Sequence, residues 1–494
     1  MIQLDRRQIL TGASGLAAAL LPAPALAAGD LLSPAAMRQD IGILYDAYAS
    51  LHPGLYRYLT PAGFQRECRR LDRFAGTPRS LGEFYMALAA FTATIRCGHS
   101  FPNPANQTPA VAATLFGRPD RLPFAFIWLD QRMIVTADLG SGHNLPAGTE
   151  IVAIDGIAAR VMLARMLPYA RTDGGNDARK VADLGIPGGA DQPAFDVLRA
   201  LLSPSSGQSA RIVVRTAGGT ATVACPLMTA SARDAALRPP SQASPYGWTF
   251  DLRGDVGVLT MPTWAVFRDE WDWRGFIDAS LDTAVDRKLS GLVVDIRDNG
   301  GGLDCGAAII ARLIDTPLAT DSYSRHVRYR KIPDRLSPYL KTWDRSFRDW
   351  GASAVGPDAA GFYALTRPGD ASDTDLIRPA GRRFAGKVAV LVGPKNASAT
   401  LSFAGLMQRH RLGTLVGEQT GGNRRGINGG AFFFINLPAS GIEVDLPLIA
   451  YWPDVPQPDA GVMPDIRVPA RAVDVQAGQD RQLARAILAA SAPA

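Results

Sequence analysis

A chain of 494 residues is too long for one ordinary hydrophobic core, so roughly two to four units are expected. With 47% hydrophobic and 20% charged residues, the composition excludes a disordered or fibrous protein. The formal charge of +6 is spread without long Lys or Arg runs, which speaks against a nucleic-acid-binding surface.

Residues 1–27 read as a processing signal. Arg6 and Arg7 precede a short apolar run, and Ala25-Leu26-Ala27 supplies a small-residue cleavage site. The arginine pair is of the twin-arginine export type. The apolar run is too short to span a membrane. The mature chain is therefore expected to be soluble and exported, periplasmic or secreted, with no stable membrane anchor. Cys68, Cys97, Cys225 and Cys305 lack metal-ligand spacing. Export permits disulfides, with three possible full pairings, and buried free thiols are the alternative.

Residues 33–115 have a helical pattern. Met37, Ile41, Leu44 and Tyr45 share a face, and His52-Pro53-Gly54 makes a turn. A second apolar-faced helix over 81–91 leads into Cys97-Gly98-His99-Ser100. Residues 120–228 alternate as short strands at 122–128, 132–136 and 150–155, with a closing hairpin through Gly218-Gly219. The span 166–204 reads as an insertion, and 239–245 as a proline- and serine-rich linker.

The remainder is built of strand–helix units. Residues 256–261 form a strand, a helix follows around 271–288, and 291–297 is a buried strand running into Gly300-Gly301-Gly302. Glycines there let the backbone approach a ligand closely and turn N–H groups inward. No Gly-Lys-[Ser/Thr] follows, so a nucleotide cradle is a poor reading. The stretch 323–383 is irregular and rich in Arg and aromatics, a lid or a solvated insertion. Residues 387–393 form another buried strand, and helical spacing resumes at Leu401 and ends in Arg409-His410-Arg411. Ser398 lies on the turn between them, its hydroxyl at the sheet end beside N–H groups able to face an anion. The alternative is that Asn396, Ser398 and Thr400 merely cap the helix. A strand pair at 431–437 and 442–446 and a helix over 480–490 close the chain.

Together, Asp295-Ile-Arg297-Asp298-Asn299-Gly300-Gly301-Gly302 and the later Ala397-Ser398-Ala399 resemble the C-terminal processing (tail-specific) serine peptidase family. The resemblance implies an α/β fold with a crotonase-like catalytic core (246–475) and a C-terminal helix (478–494). It adds a PDZ-like β-rich domain (120–228) and an N-terminal helical domain (33–115). Ser398 would be the nucleophile, and Ala399 with Gly300, Gly301 and Gly302 would form the oxyanion hole. The family's usual lysine base is missing: Thr420-Gly421-Gly422-Asn423 stands in its place, and no lysine follows Ser398. Lys395, three residues before the serine, is badly placed for proton abstraction. The pattern then resembles the tricorn-like branch, in which an N-terminal histidine, here His99, is the base and a late acid orients it. Asp459 matches that acid's position, and Asp465 reads as a cap or turn residue.

What this implies is an exported serine peptidase acting on peptides or unstructured protein ends, without cofactor, metal or nucleic acid. Oligomeric state is left open. The alternative is a non-catalytic ligand- or peptide-binding protein on the same fold, since retinoid-binding relatives exist. A hydratase use of the core is weaker, because no adenine-nucleotide pocket can be read. The PDZ-like module either captures peptides by strand addition or is structural, as no Gly-Leu-Gly-Phe carboxylate loop is visible.

Overall fold

The computed structural model describes residues 31–186, 193–216, 219–237, 244–267, 271–320, 323–366 and 376–491. The expected signal segment, Gly218 of the hairpin turn and most of the 239–245 linker lie outside the described residues. No helix among the described residues is long and apolar enough to cross a membrane. All four cysteines are free thiols.

The N-terminal helices begin where the side chains dictate. Helix α1 (Pro34–Leu51) is capped by Ser33, which accepts from the Ala36 N–H, and α2 (Pro61–Phe74) by Thr60 in the same way. Helix α3 (Leu81–Ala93) opens with a reciprocal capping box between Ser80 and Glu83. Helix α4 (Pro109–Phe116) follows, capped by Thr108. Next comes an antiparallel sheet of β1 (Phe124–Leu129), β2 (Arg132–Asp138), β3 (Glu150–Ile154), β4 (Ser209–Thr216) and β5 (Gly219–Pro226), paired in that order. Between β3 and β4 lie α5 (Ala159–Met166), α6 (Ala178–Asp183) and α7 (Ala194–Leu202). The expected insertion is thus partly helical, and Phe195 of α7 packs edge-on against Phe126 of β1, 4.7 Å between ring centres.

The chain then enters a mostly parallel sheet through β6 (Thr249–Arg253), β7 (Val256–Thr260), α8 (Trp273–Asp286), β8 (Gly291–Asp295) and α9 (Cys305–Ala311). It leaves to form β9 (Tyr323–Val327), β10 (Leu340–Lys341), β11 (Ala354–Val355) and β12 (Tyr363–Leu365). It returns as β13 (Lys387–Val392), α10 (Ala399–Arg409) and β14 (Thr414–Gly417), then leaves again as β15 (Ile427–Asn436) and β16 (Glu443–Pro453). Strand β17 (Ile466–Arg467) and helix α11 (Arg481–Ser491) close it. The parallel sheet has the order β17-β14-β13-β8-β7-β6, and only β6 runs antiparallel to its neighbour. Strands β7, β8 and β13 are buried almost throughout, which explains their unbroken apolar runs. Helix α11 covers one face, setting Ala486 and Ala490 against Val293 and Leu391.

The second excursion builds an antiparallel sheet, β10-β15-β16-β9-β12-β11. The stretch read as irregular from 323 to 383 therefore contributes four strands to a sheet whose centre is the expected late strand pair. One apolar core runs from α1 to α4 through the small sheet to Phe433, Val444 and Leu446 of β15 and β16. Tyr48 of α1 reaches into the late sheet and donates to the Asp445 carbonyl at 2.7 Å.

Candidate active site

Two turns at the C-terminal ends of β8 and β13 face each other, and buried amides hold them together. Asn299, fully buried, accepts from the N–H groups of Gly301 (3.0 Å) and Trp264 (3.2 Å) and donates to the Met261 carbonyl (2.8 Å). This pins the glycine turn to the end of β7. Asn396, also fully buried, accepts from the Gly393 N–H at 2.7 Å and donates to the carbonyls of Ile296 and Asn299. Thr400 adds a bond from its hydroxyl to the Asn299 carbonyl. Asn396 and Thr400 therefore fasten the serine turn to the glycine turn.

Ser398 behaves differently from its neighbours. It precedes α10 with φ 53° and ψ −127°, and its side chain makes no capping bond. A non-glycine residue at positive φ is costly, on the order of 1–3 kcal/mol, and persists where the surroundings over-determine it. The helix-cap reading of Ser398 fails on this geometry. The strained turn presents the hydroxyl to a cavity of about 1200 Å³, whose walls also include His99, Ala399, Gly300 and Gly302. The Ala399 N–H, at the first position of α10, has no partner within the helix and so is open to an external acceptor. Gly301 is the exception among the expected oxyanion donors: its N–H is committed to Asn299. Its role is steric. A Cβ there would lie 2.7 Å from the Ala397 carbonyl and 2.9 Å from Ser398 Cβ.

His99 reaches the same cavity from the end of the N-terminal helical region. Its Nδ1 is buried and lacks a hydrogen-bond partner of good geometry, with the Phe432 ring edge-on at 5.7 Å. Burial pushes the imidazole down to about 4, against the pull of Asp173, while Arg179 and Arg171 add to the fall. Lys395 is ion-paired with Asp298 at 3.1 Å, consistent with its exclusion as a base.

Asp459 lies beside this site, but its bonds go elsewhere. Its Oδ1 accepts from the Tyr58 hydroxyl (2.9 Å), the Gly175 N–H (2.9 Å) and the Asn423 amide. Burial pushes its pKa up, yet the Gly175, Asn423 and Tyr58 donors outweigh this and hold it below the usual carboxylate range. No hydrogen bond joins it to His99, so the expected orienting role has no contact behind it. Asp465, expected to cap or turn the chain, instead accepts from Gln408 of α10 and from the Leu415 N–H of β14.

The sequence reading missed residues 173–176. Asp173, buried, accepts from the Gly98 N–H at 2.8 Å and pairs with Arg179 at 3.0 Å. Asn176 donates to the carbonyls of Thr420 (2.7 Å) and Gly422 (2.9 Å). The available signal was Gly174-Gly175, a close-approach pair inside a supposed insertion. A Cβ on Gly175 would lie 2.9 Å from the Asp459 carboxylate.

Residues 255–468 match the model of Peptidase family S41. The matched span takes in the glycine turn, Ser398 and Asp459, and leaves His99 and Asp173 outside it. Among solved structures, mature CPAF complexed with lactacystin is similar at 16% identity and a TM-score of 0.61, covering 90% of this chain and 95% of that one. Mature CPAF without that ligand gives 16% identity and a TM-score of 0.59, covering 90% and 94%. At such identities the likeness shows the fold, and at 90% of this chain it reaches well beyond residues 255–468. Among curated proteins, none matches this chain.

Proposed function

We propose that this protein is an exported serine peptidase that hydrolyses peptides or unstructured protein termini, with Ser398 as nucleophile and His99 as general base. The observation that carries the reading is the strained Ser398 turn, its hydroxyl unbonded and facing the cavity that His99 also lines. A serine needs a base to take its proton, and a neutral imidazole supplies one. Attack on a peptide carbonyl places a developing oxyanion beside the Ala399 N–H, with Gly300 or Gly302 as the second donor. The imidazolium formed then returns its proton to the leaving amine. The S41 match and the CPAF-like fold support a peptidase. The parallel sheet corresponds in this reading to a crotonase-like core, and the β1–β5 sheet to a PDZ-like module. Export by the twin-arginine route rests on Arg6-Arg7 ahead of the short apolar run.

A fluorophosphonate probe tests the chemistry. Labelling of the wild-type chain that is absent in Ser398→Ala is the expected result. No labelling of a folded, monodisperse wild-type protein would overturn it in favour of a non-catalytic binding protein.

A further inference from the structure

The loop from Asp173 to Asp177 bridges the two halves of the proposed active site. On one side Gly174 exchanges bonds with Arg96: its N–H donates to the Arg96 carbonyl at 2.9 Å and its carbonyl accepts from Arg96 Nε at 2.6 Å. Arg96 also pairs with Asp177 at 2.9 Å, and the Gly98 N–H donates to Asp173. These contacts hold the segment that ends in His99. On the other side Asn176 holds Thr420 and Gly422, and the Gly422 N–H donates to the Asn396 carbonyl at 2.8 Å, two residues before Ser398. Asp459, through Gly175, and Asn423, through the Asp173 carbonyl at 3.3 Å, brace the loop from behind.

We propose that Asp173 is the positioning carboxylate of His99, and that Asp459 holds in place the loop that carries it. This rests on the reading of Ser398 and His99 as nucleophile and base. Asp173 is buried and accepts from the N–H of Gly98, the residue before His99. Arg171 and Arg179 from the same region oppose it electrostatically, and β15 sets the Asn428 carbonyl and the uncharged Phe432 ring against the imidazole. Arg171 in turn feels Asp183 and Asp445. A negative charge at Asp173 therefore stabilises the imidazolium that proton abstraction creates.

The test is an NMR titration of the His99 ring in the full mature chain, paired with kcat and KM for a peptide substrate. Asp173→Asn removes an anion that pulls the His99 titration up, so that titration should move down by about one unit or more. At pH 7 kcat should fall on the order of a hundredfold with KM little changed, and Asp173→Glu should recover part of the loss. Asp459→Asn keeps the oxygen that Tyr58, Gly175 and Asn423 use; the His99 titration should stay in place and kcat should fall less than about tenfold. Should Asp173→Asn fail to fold, Arg179→Gln carries the same test with opposite sign, raising the His99 titration. An unmoved titration in Asp173→Asn, or an equal shift in Asp459→Asn, overturns the assignment. A wild-type chain that neither cleaves peptide nor takes the probe would sink the peptidase reading instead, while the titration still decides the Asp173–His99 pair.

Discussion

Ser398 is held at φ 53° by a neighbour that has no side chain to displace it. Gly301 sits at φ +104°, and a Cβ there would press on both Ala397 and Ser398. Gly301→Ala is therefore expected to lower kcat at least about tenfold, the strain amounting to on the order of 1–3 kcal/mol at the nucleophile's turn. Far-UV circular dichroism should be unchanged, and wild-type kcat in this variant would show that the turn has slack. Lys395 tests the choice of base. Its ammonium is engaged with Asp298, so Lys395→Met should keep activity within about tenfold. His99→Ala should remove several orders of magnitude. The reverse ranking would restore a Ser–Lys mechanism.

At the scale of elements, the nucleophile unit is β13, a turn and α10, and the glycine unit is β8, a turn and α9. Both were legible because their strands are buried on both faces and read as continuous apolar runs between Gly and Pro. Asn396 and Asn299 were visible only as motif letters, and the structure gives them work. Asn396→Ala would take the side-chain acceptor from the buried Gly393 N–H and one of the two donors from the Ile296 carbonyl. A loss of about 2–4 kcal/mol is expected, read as a lower urea midpoint at unchanged m-value. A midpoint shift below about 0.5 kcal/mol would mean that water or Thr400 replaces the amide. What stayed illegible has a common physical cause. Strands β9 to β12 are two to five residues long; β9 and β10 pair with β16 and β15, far away in sequence, and β12 and β11 join the sheet through β9. The 173–176 loop has no periodicity at all. Its meaning lies in bonds to residues about 80, 250 and 280 positions distant, which no local pattern encodes.

Across the whole molecule, the base and the nucleophile lie about 300 residues apart in the chain, the base on a core that links α1–α4 to β15 and β16 and the nucleophile on a second core built around β13 and α10. The first of these cores holds a second imidazole in the neutral form. His52 Nδ1 accepts from the Gly54 N–H at 3.0 Å, so its Nε2–H donates to the Ser100 hydroxyl at 2.8 Å. Protonating Nδ1 would set two donors against each other in a site 1% exposed. Burial, with Arg57 adding to it, pushes His52 down to about 3, and His99 lies at about 4. Both folded values are below the unfolded value near 6.5. Between pH 6.5 and about 4 the unfolded chain thus takes up protons that the folded chain does not, and stability falls as pH falls. Each imidazole contributes about 1.4 kcal/mol per pH unit, or about 2 kcal/mol between pH 6.5 and pH 5. Asp40, raised by burial despite its bonds to Ser440 and Ala439, acts in the opposite direction. Urea unfolding at pH 7 and pH 5 should therefore show a loss of a few kcal/mol, and His52→Gln, which can keep one donor and one acceptor, should remove about half of it. An identical pH dependence in His52→Gln and wild type would show that His52 is charged in the folded core and that its bond to Gly54 does not form.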